Sequence, residues 1–233
     1  ASSMKKSLII AVLVVLGMAV VGTAGWVFFG RSWLADRQAA AEADTLRSDP
    51  RTAEMFANIE QRQREIEQTP DNAELYLSIA NNWKAIYDAR GEVRFIDRAV
   101  EWYEKGVGVT QRKNSLYLMN LANAYRLRKQ PDLAERILRE AIEVNPGDPM
   151  LYTTLVDVLR YDLKRDSKDI IDVYKKGLET LVDNGPLVQS LASYLEDIGR
   201  YKDSLTYYEL LAAKYPGLED KIASLKSKIE SQP

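Results

Sequence analysis

Any chemistry in this chain must come from carboxylates, amides and basic side chains, because the sequence holds no cysteine and no histidine. Thiolate nucleophiles, disulfides and cysteine-ligated zinc are thereby excluded, and the commonest general base and metal ligand is missing. Carboxylate pairs such as Glu135/Glu140 and Asp169/Asp172 lie among charges on helical faces, where solvation and intrahelical pairing account for them. The phosphate-loop, dinucleotide and hydrolase-elbow patterns are all absent, and Gly106-Val107-Gly108 reads as a helix-end turn. No catalytic, cofactor-binding or metal-ligating residue is assigned, and no enzyme activity is expected. One pattern does carry chemistry. Lys84, Arg126 and Arg160 each follow three residues after Asn81, Asn123 and Asp157, which puts each pair on one helical face. A basic row flanked by amides would read the carboxylates or backbone of an extended acidic segment or of a C-terminus. The competing reading is a solvated helical surface, the usual place for Lys and Arg.

The elements that position this row are amphipathic helices. Ser115 to Asp148 contains two such patterns separated by a short polar turn, Arg128 to Asp132, and closes on Asn145-Pro146-Gly147-Asp148. Leu118, Leu121, Ala122 and Tyr125 follow W-x2-L-G-x2-Y spacing, Ala134 and Leu138 follow A-x3-F, and Pro146 ends the unit. The same pattern returns in 73–113, 149–184 and 185–218. In the second helix of each unit, Tyr103, Leu138, Tyr174 and Tyr208 step by 35, 36 and 34 residues. The first unit is longer, with its extra length between Ala85 and Arg98, in the first helix or the inter-helix loop. The third is degenerate, with Val156 and Leu159 where a small and an aromatic residue belong.

These residues make the protein resemble a tetratricopeptide (TPR) repeat protein across 73–218. The resemblance implies an all-α helix-turn-helix solenoid whose concave surface, lined by the outward faces of the first helices, binds a peptide, tail or helix of a partner. Carried onto this sequence, that groove comprises Leu77, Asn81 and Lys84; Met119, Asn123, Arg126 and Leu127; Thr153, Asp157, Arg160 and Tyr161; and Gln189, followed by Ser193 and Glu196. Met119, Leu127 and Tyr161 would form an apolar floor for a partner helix, or else pack against a neighbouring repeat. The family's carboxylate clamp is not expected: Asn81 and Asn120 fit it, but Leu77, Met150 and Thr154 stand in its basic places.

Ahead of the repeats, Ser7 to Phe29 carry no charge, and as a helix this run of ~35 Å would cross a ~30 Å hydrocarbon core. Residues 1–6 then form a basic tail and 7–29 a signal-anchor, with Lys5, Lys6, Trp26, Arg31 and Trp33 as interface anchors. A cleaved secretory signal ending near Gly22-Thr23-Ala24 is the alternative. Residues 30–50 read as a helical stalk broken at Pro50, 51–72 as an N-terminal capping helix, and 219–233 as a C-terminal capping helix. A cytoplasmic N-terminus with extracytoplasmic repeats is expected, periplasmic if the membrane is a bacterial inner membrane.

The near balance of 32 Lys+Arg against 34 Asp+Glu argues against a polyanion partner such as nucleic acid. The expected function is a membrane-anchored scaffold or adaptor that binds a partner protein to assist assembly or stabilise a complex, without cofactor or small-molecule substrate. A permanent accessory subunit of an energy-converting or secretion complex is the alternative, as is a chaperone of the cytochrome c maturation or protein-export type.

Overall fold

The computed structural model describes residues 35–181 and 184–231, and every described element is helical or a turn between helices. The signal-anchor reading of 7–29 and all five interface anchors lie outside the described residues. Among the described residues no helix is long and apolar enough to cross a membrane.

The protein divides into two units, Ala1–Ala57 and Asn58–Pro233, with the boundary inside a helix. In the first unit, α1 covers 35–48 and stops ahead of Pro50, whose missing N–H and fixed φ do not continue a helix. Asp49 starts the next helix, α2 (Ala53–Gln68): its carbonyl accepts from the Thr52 and Ala53 amides. The Thr52 hydroxyl, fully buried, donates back to the Leu46 carbonyl at 2.9 Å. That bond satisfies one of the carbonyls a helix end leaves open.

In the second unit the helices pair in sequence order: α3 (Ala73–Arg90) with α4 (Val93–Val109), and α5 (Ser115–Leu127) with α6 (Pro131–Val144). Next come α7 (Pro149–Asp157), continued by a π turn over Val158–Asp162, with α8 (Ser167–Thr180), and then α9 (Gly185–Asp197) with α10 (Tyr201–Ala212). Helix α11 (Glu219–Glu230) lies on α10. The extra length of 73–113 sits in the helices themselves, since α3 runs for 18 residues against 13 in α5 and only Gly91 and Glu92 separate α3 from α4.

Helix starts follow from the side chains placed there. Asn72, Asn114, Asp148, Asp166 and Asn184 each accept a backbone N–H of the first turn, and Pro149 and Pro186 occupy first-turn places where no donor is needed. Two units share a further latch: the hydroxyl of Tyr76 donates to the Pro70 carbonyl, and that of Tyr152 to the Pro146 carbonyl. The turns between paired helices need a left-handed residue. Gly91 and Gly199 supply it without strain, and Lys129 and Lys164 adopt it despite their side chains.

The core is built from the periodic residues. Leu118, Leu121, Ala122 and Leu138 are fully buried, and Tyr103, Tyr174 and Tyr208 nearly so. Burying one such Leu stabilises the fold by about 1.5–3 kcal/mol. Close approach sets the small positions: a Cβ on Gly177 would lie 2.9 Å from the side chains of Leu187 and Tyr152. Ser204 instead uses its hydroxyl, which donates to the Ala192 carbonyl at 2.8 Å in a buried bond between α10 and α9.

The third unit differs from its neighbours in one respect, and its origin is local. After the first helix, Gln130 donates to the carbonyl of Tyr125 and Arg200 to that of Leu195, in each case five residues back. The corresponding bond in the third unit runs from Arg165 to Leu159, six residues back. The π turn, closed by Leu163 donating to Val158, absorbs that extra residue without disturbing the flanking helices.

Candidate partner-binding face

The first helices α3, α5, α7 and α9 present equivalent side chains because each buries the same stripe. Burial of Ile79 and Ala80, of Leu121 and Ala122, and of Leu155 and Val156 leaves Asn81, Asn123 and Asp157 one residue further round. Lys84, Arg126 and Arg160 follow one turn on. The row expected from the sequence therefore lies on one repeated helical aspect, but its cations are already engaged.

Lys84 Nζ lies 2.6 Å from Asp88 on its own helix. Arg126 reaches forward to the next unit, its Nε 2.6 Å from Asp162. Arg160 does the same toward Asp197, with Nη2 at 2.8 Å. Asp162 stands one place later in its unit than Asp197 does in its own, and the extra residue of the π turn offsets that difference. The Arg160 guanidinium also lies over two rings, 4.9 Å from the centre of Tyr161 and 5.1 Å from that of Tyr194. All three cations read the protein's own aspartates, and the two arginines join successive units.

The last unit inverts the sign. Glu196 occupies the place of Arg126 and Arg160, and α11 meets it with Lys221 and Lys228 at 2.6 and 2.8 Å. Burial alone would push the Glu196 carboxyl up, but hydrogen bonds from the two lysines outweigh it and hold the carboxyl below its usual range. Among the described residues Asp157 has no such partner. Partial burial pushes its carboxyl up, and the attraction of Arg126 and Arg160 offsets this only in part because both guanidinium groups are turned elsewhere.

Between α3 and α5 the face opens into a shallow groove of about 490 Å³, walled by Leu77, Ser78, Asn81, Asn114 and Leu116, with Glu74 at its N-terminal end. The amides have a fixed polarity. Asn81 Oδ1 accepts from the Tyr103 hydroxyl at 2.6 Å, and Asn114 Oδ1 accepts from the Leu116 amide at 3.0 Å. Each side chain keeps its N–H2 group for an outside acceptor. The Tyr103 phenol is pushed up, first by burial and then by the charge of Asp88, so it stays a donor at any physiological pH.

Other residues of the sequence-derived set are placed less favourably. Met119, Asn123 and Leu127 are half-buried, Thr153 turns its hydroxyl onto the Met150 carbonyl of its own helix, and Gln189 is exposed on α9. Tyr161 projects from the π turn with 59% of its surface exposed. Sequence reasoning missed Glu74, Leu116 and Asn114, and also the aspartates that answer the arginines. Leu116 had a signal: it is apolar but stands off the buried stripe of Leu118 and Leu121, and it is 50% exposed. The aspartates had one too, since an acid follows Arg126 and Arg160 at 36 and 37 residues, one repeat on.

Comparison with known proteins agrees with this geometry. Residues 116–158 match the family described as tetratricopeptide repeat. Among solved structures the protein is similar to MamA, at 18% identity with a TM-score of 0.52 over 81% of its own length and 95% of that of MamA. It is also similar to YrrB, described as a TPR protein with an unusual peptide-binding site, at 16% identity and a TM-score of 0.50 over 73% and 84%. The array is a TPR-like solenoid. At these identities the likeness carries the fold and nothing finer. No curated protein matches in sequence. The first helices of this array present one repeated face, as the fold requires.

Proposed function

We propose that this protein is a membrane-anchored, non-enzymatic TPR adaptor that holds a partner protein on the face formed by its first helices. The observation that carries the reading is the open groove between α3 and α5, where two asparagine N–H2 groups have no partner among the described residues and lie beside half-buried Leu77 and exposed Leu116. Free amide donors beside apolar walls suit a peptide segment, whose backbone offers carbonyls and whose side chains fill the apolar places. The peptide-binding site named for YrrB supports the reading by analogy of fold.

In this reading Ser7–Phe29 is the single membrane span. Lys5 and Lys6 stay on the cytoplasmic side, Trp26, Arg31 and Trp33 sit at the opposite interface, and the repeats lie outside the cytoplasmic membrane. The uncharged run supports the span, and alkaline extraction with protease protection tests it.

Site-specific photo-crosslinking in cells tests the face. A crosslinker placed at Leu77, Asn81 or Met119 is expected to capture a partner, whereas one at Lys175 or Lys202, exposed on second helices, is not. Equal capture from both sets would overturn the assignment. A stoichiometric complex surviving detergent extraction would favour a permanent accessory subunit over an adaptor.

A further inference from the structure

The groove between α3 and α5 has a charge opposite to the one the sequence pattern suggests. Lys84, the basic residue of its unit, does not line it and is held by Asp88. Among the described residues Glu74 is the one charged side chain in its wall, and that carboxylate has no cation within ion-pair distance. Further along the same face Arg126 and Arg160 are engaged by Asp162 and Asp197, while Asp157 is left without an ion pair. Among the described residues, the two charges on the first helices that have no ion pair, Glu74 and Asp157, are both negative. Next to the first of these lie Leu77 and Leu116.

Resting on the reading of this face as the partner-binding surface, we propose that its occupant is a basic, apolar-interspersed segment of a partner protein. A Lys or Arg of that segment seats on Glu74, its apolar neighbours lie on Leu77 and Leu116, and its backbone carbonyls accept from Asn81 and Asn114. A second base one or more units along would meet Asp157, since a cation is drawn to a carboxylate that has no ion pair among the described residues. An acidic segment is disfavoured. It would place like charge against Glu74 and find the arginines already bound, so it would have to displace Asp162 or Asp197 to gain anything.

The test is fluorescence anisotropy on the full-length protein in detergent micelles with three synthetic peptides that share apolar positions and differ only in carrying Lys, Gln or Glu between them. The Lys peptide is expected to bind tightest and to weaken as salt rises, because exposed charges are screened over about 10 Å at 0.1 M. Glu74→Gln should weaken the Lys peptide about two- to fivefold, the range of an exposed ion pair, and leave the Gln peptide unchanged. Leu116→Gln, at an exposed position, should weaken all three. Tightest binding by the Glu peptide, with loss on Leu116→Gln, would overturn the charge assignment while leaving the face as a partner site. Lys-peptide binding sensitive to Leu116→Gln and indifferent to Glu74→Gln would do the same. Binding indifferent to both substitutions, or no binding by any peptide, would overturn the inference and count against the groove itself.

Discussion

Single residues in this array fall into those that fill space and those that carry charge, and substitutions separate them. Leu121 is fully buried on α5, so Leu121→Ala removes packing that the surrounding helices cannot wholly recover. A loss of about 2–5 kcal/mol is expected from chemical denaturation, with the partner-binding face otherwise intact. Asp157 should behave in the opposite way. Its carboxyl is raised above the ordinary value of 3.8, so the ionised form is less welcome in the folded protein than in the unfolded one. Asp157→Asn is therefore expected to raise Tm slightly at neutral pH, and the gain should shrink as pH falls toward 3.8, where the wild-type carboxyl takes up its proton. A gain independent of pH would refute this account. The space-filling residues were legible in the sequence because burial imposes a period, as with Tyr103, Leu138, Tyr174 and Tyr208. The electrostatic partners were not. Nothing in the local pattern around Arg126 says that it will turn toward Asp162 rather than toward solvent, because that choice is made by the neighbouring unit.

At the scale of elements, the joints between units are electrostatic as well as apolar. The Arg126–Asp162 pair is about one-third exposed on each side, so its contribution is modest. A double-mutant cycle with Arg126→Ala and Asp162→Ala should return a coupling of about 0.2–1 kcal/mol that falls with added salt. The π turn keeps this pairing in register despite the extra residue, and deleting Val158 offers a test at the level of the element. A shortened protein should regain a regular helix end in the third unit and keep the coupling, since Asp162 would then stand at the place Asp197 holds in its own unit, whereas an extra residue inserted after Val158 should abolish it. The sequence did register something here, as the 36-residue step and the departures at Val156 and Leu159. What it could not reveal was how the extra residue is absorbed, because a longer loop, a longer helix and a π turn all leave the same count.

For the whole molecule, the end of the array is secured by α11. Its Leu225 is fully buried in a cluster with Val188, Ala192, Tyr208 and Leu211, and its two lysines converge on Glu196, whose side chain is only 12% exposed. Truncation after Gly217 should uncover that cluster and produce self-association, seen as earlier elution or increased light scattering. Acid should loosen the same end. Glu196 is held below its usual range, so its share of stability is present above the ordinary value of 4.5 and is lost as pH falls through the folded value. Hydrogen exchange in α11 is expected to rise in that window before α5 and α6 respond.

The reversed charge at Glu196 also bears on which helix the end of the array accepts. At the two joints that follow the second and third units, an arginine at this place receives an aspartate from the next unit. At the terminal unit the pairing changes to an acid answered by lysines. A helix arriving with an aspartate in the receiving place would set carboxylate against carboxylate. The last joint is thereby selective: it accepts a basic helix such as α11 and rejects an acidic one, and a single change of sign sets the difference.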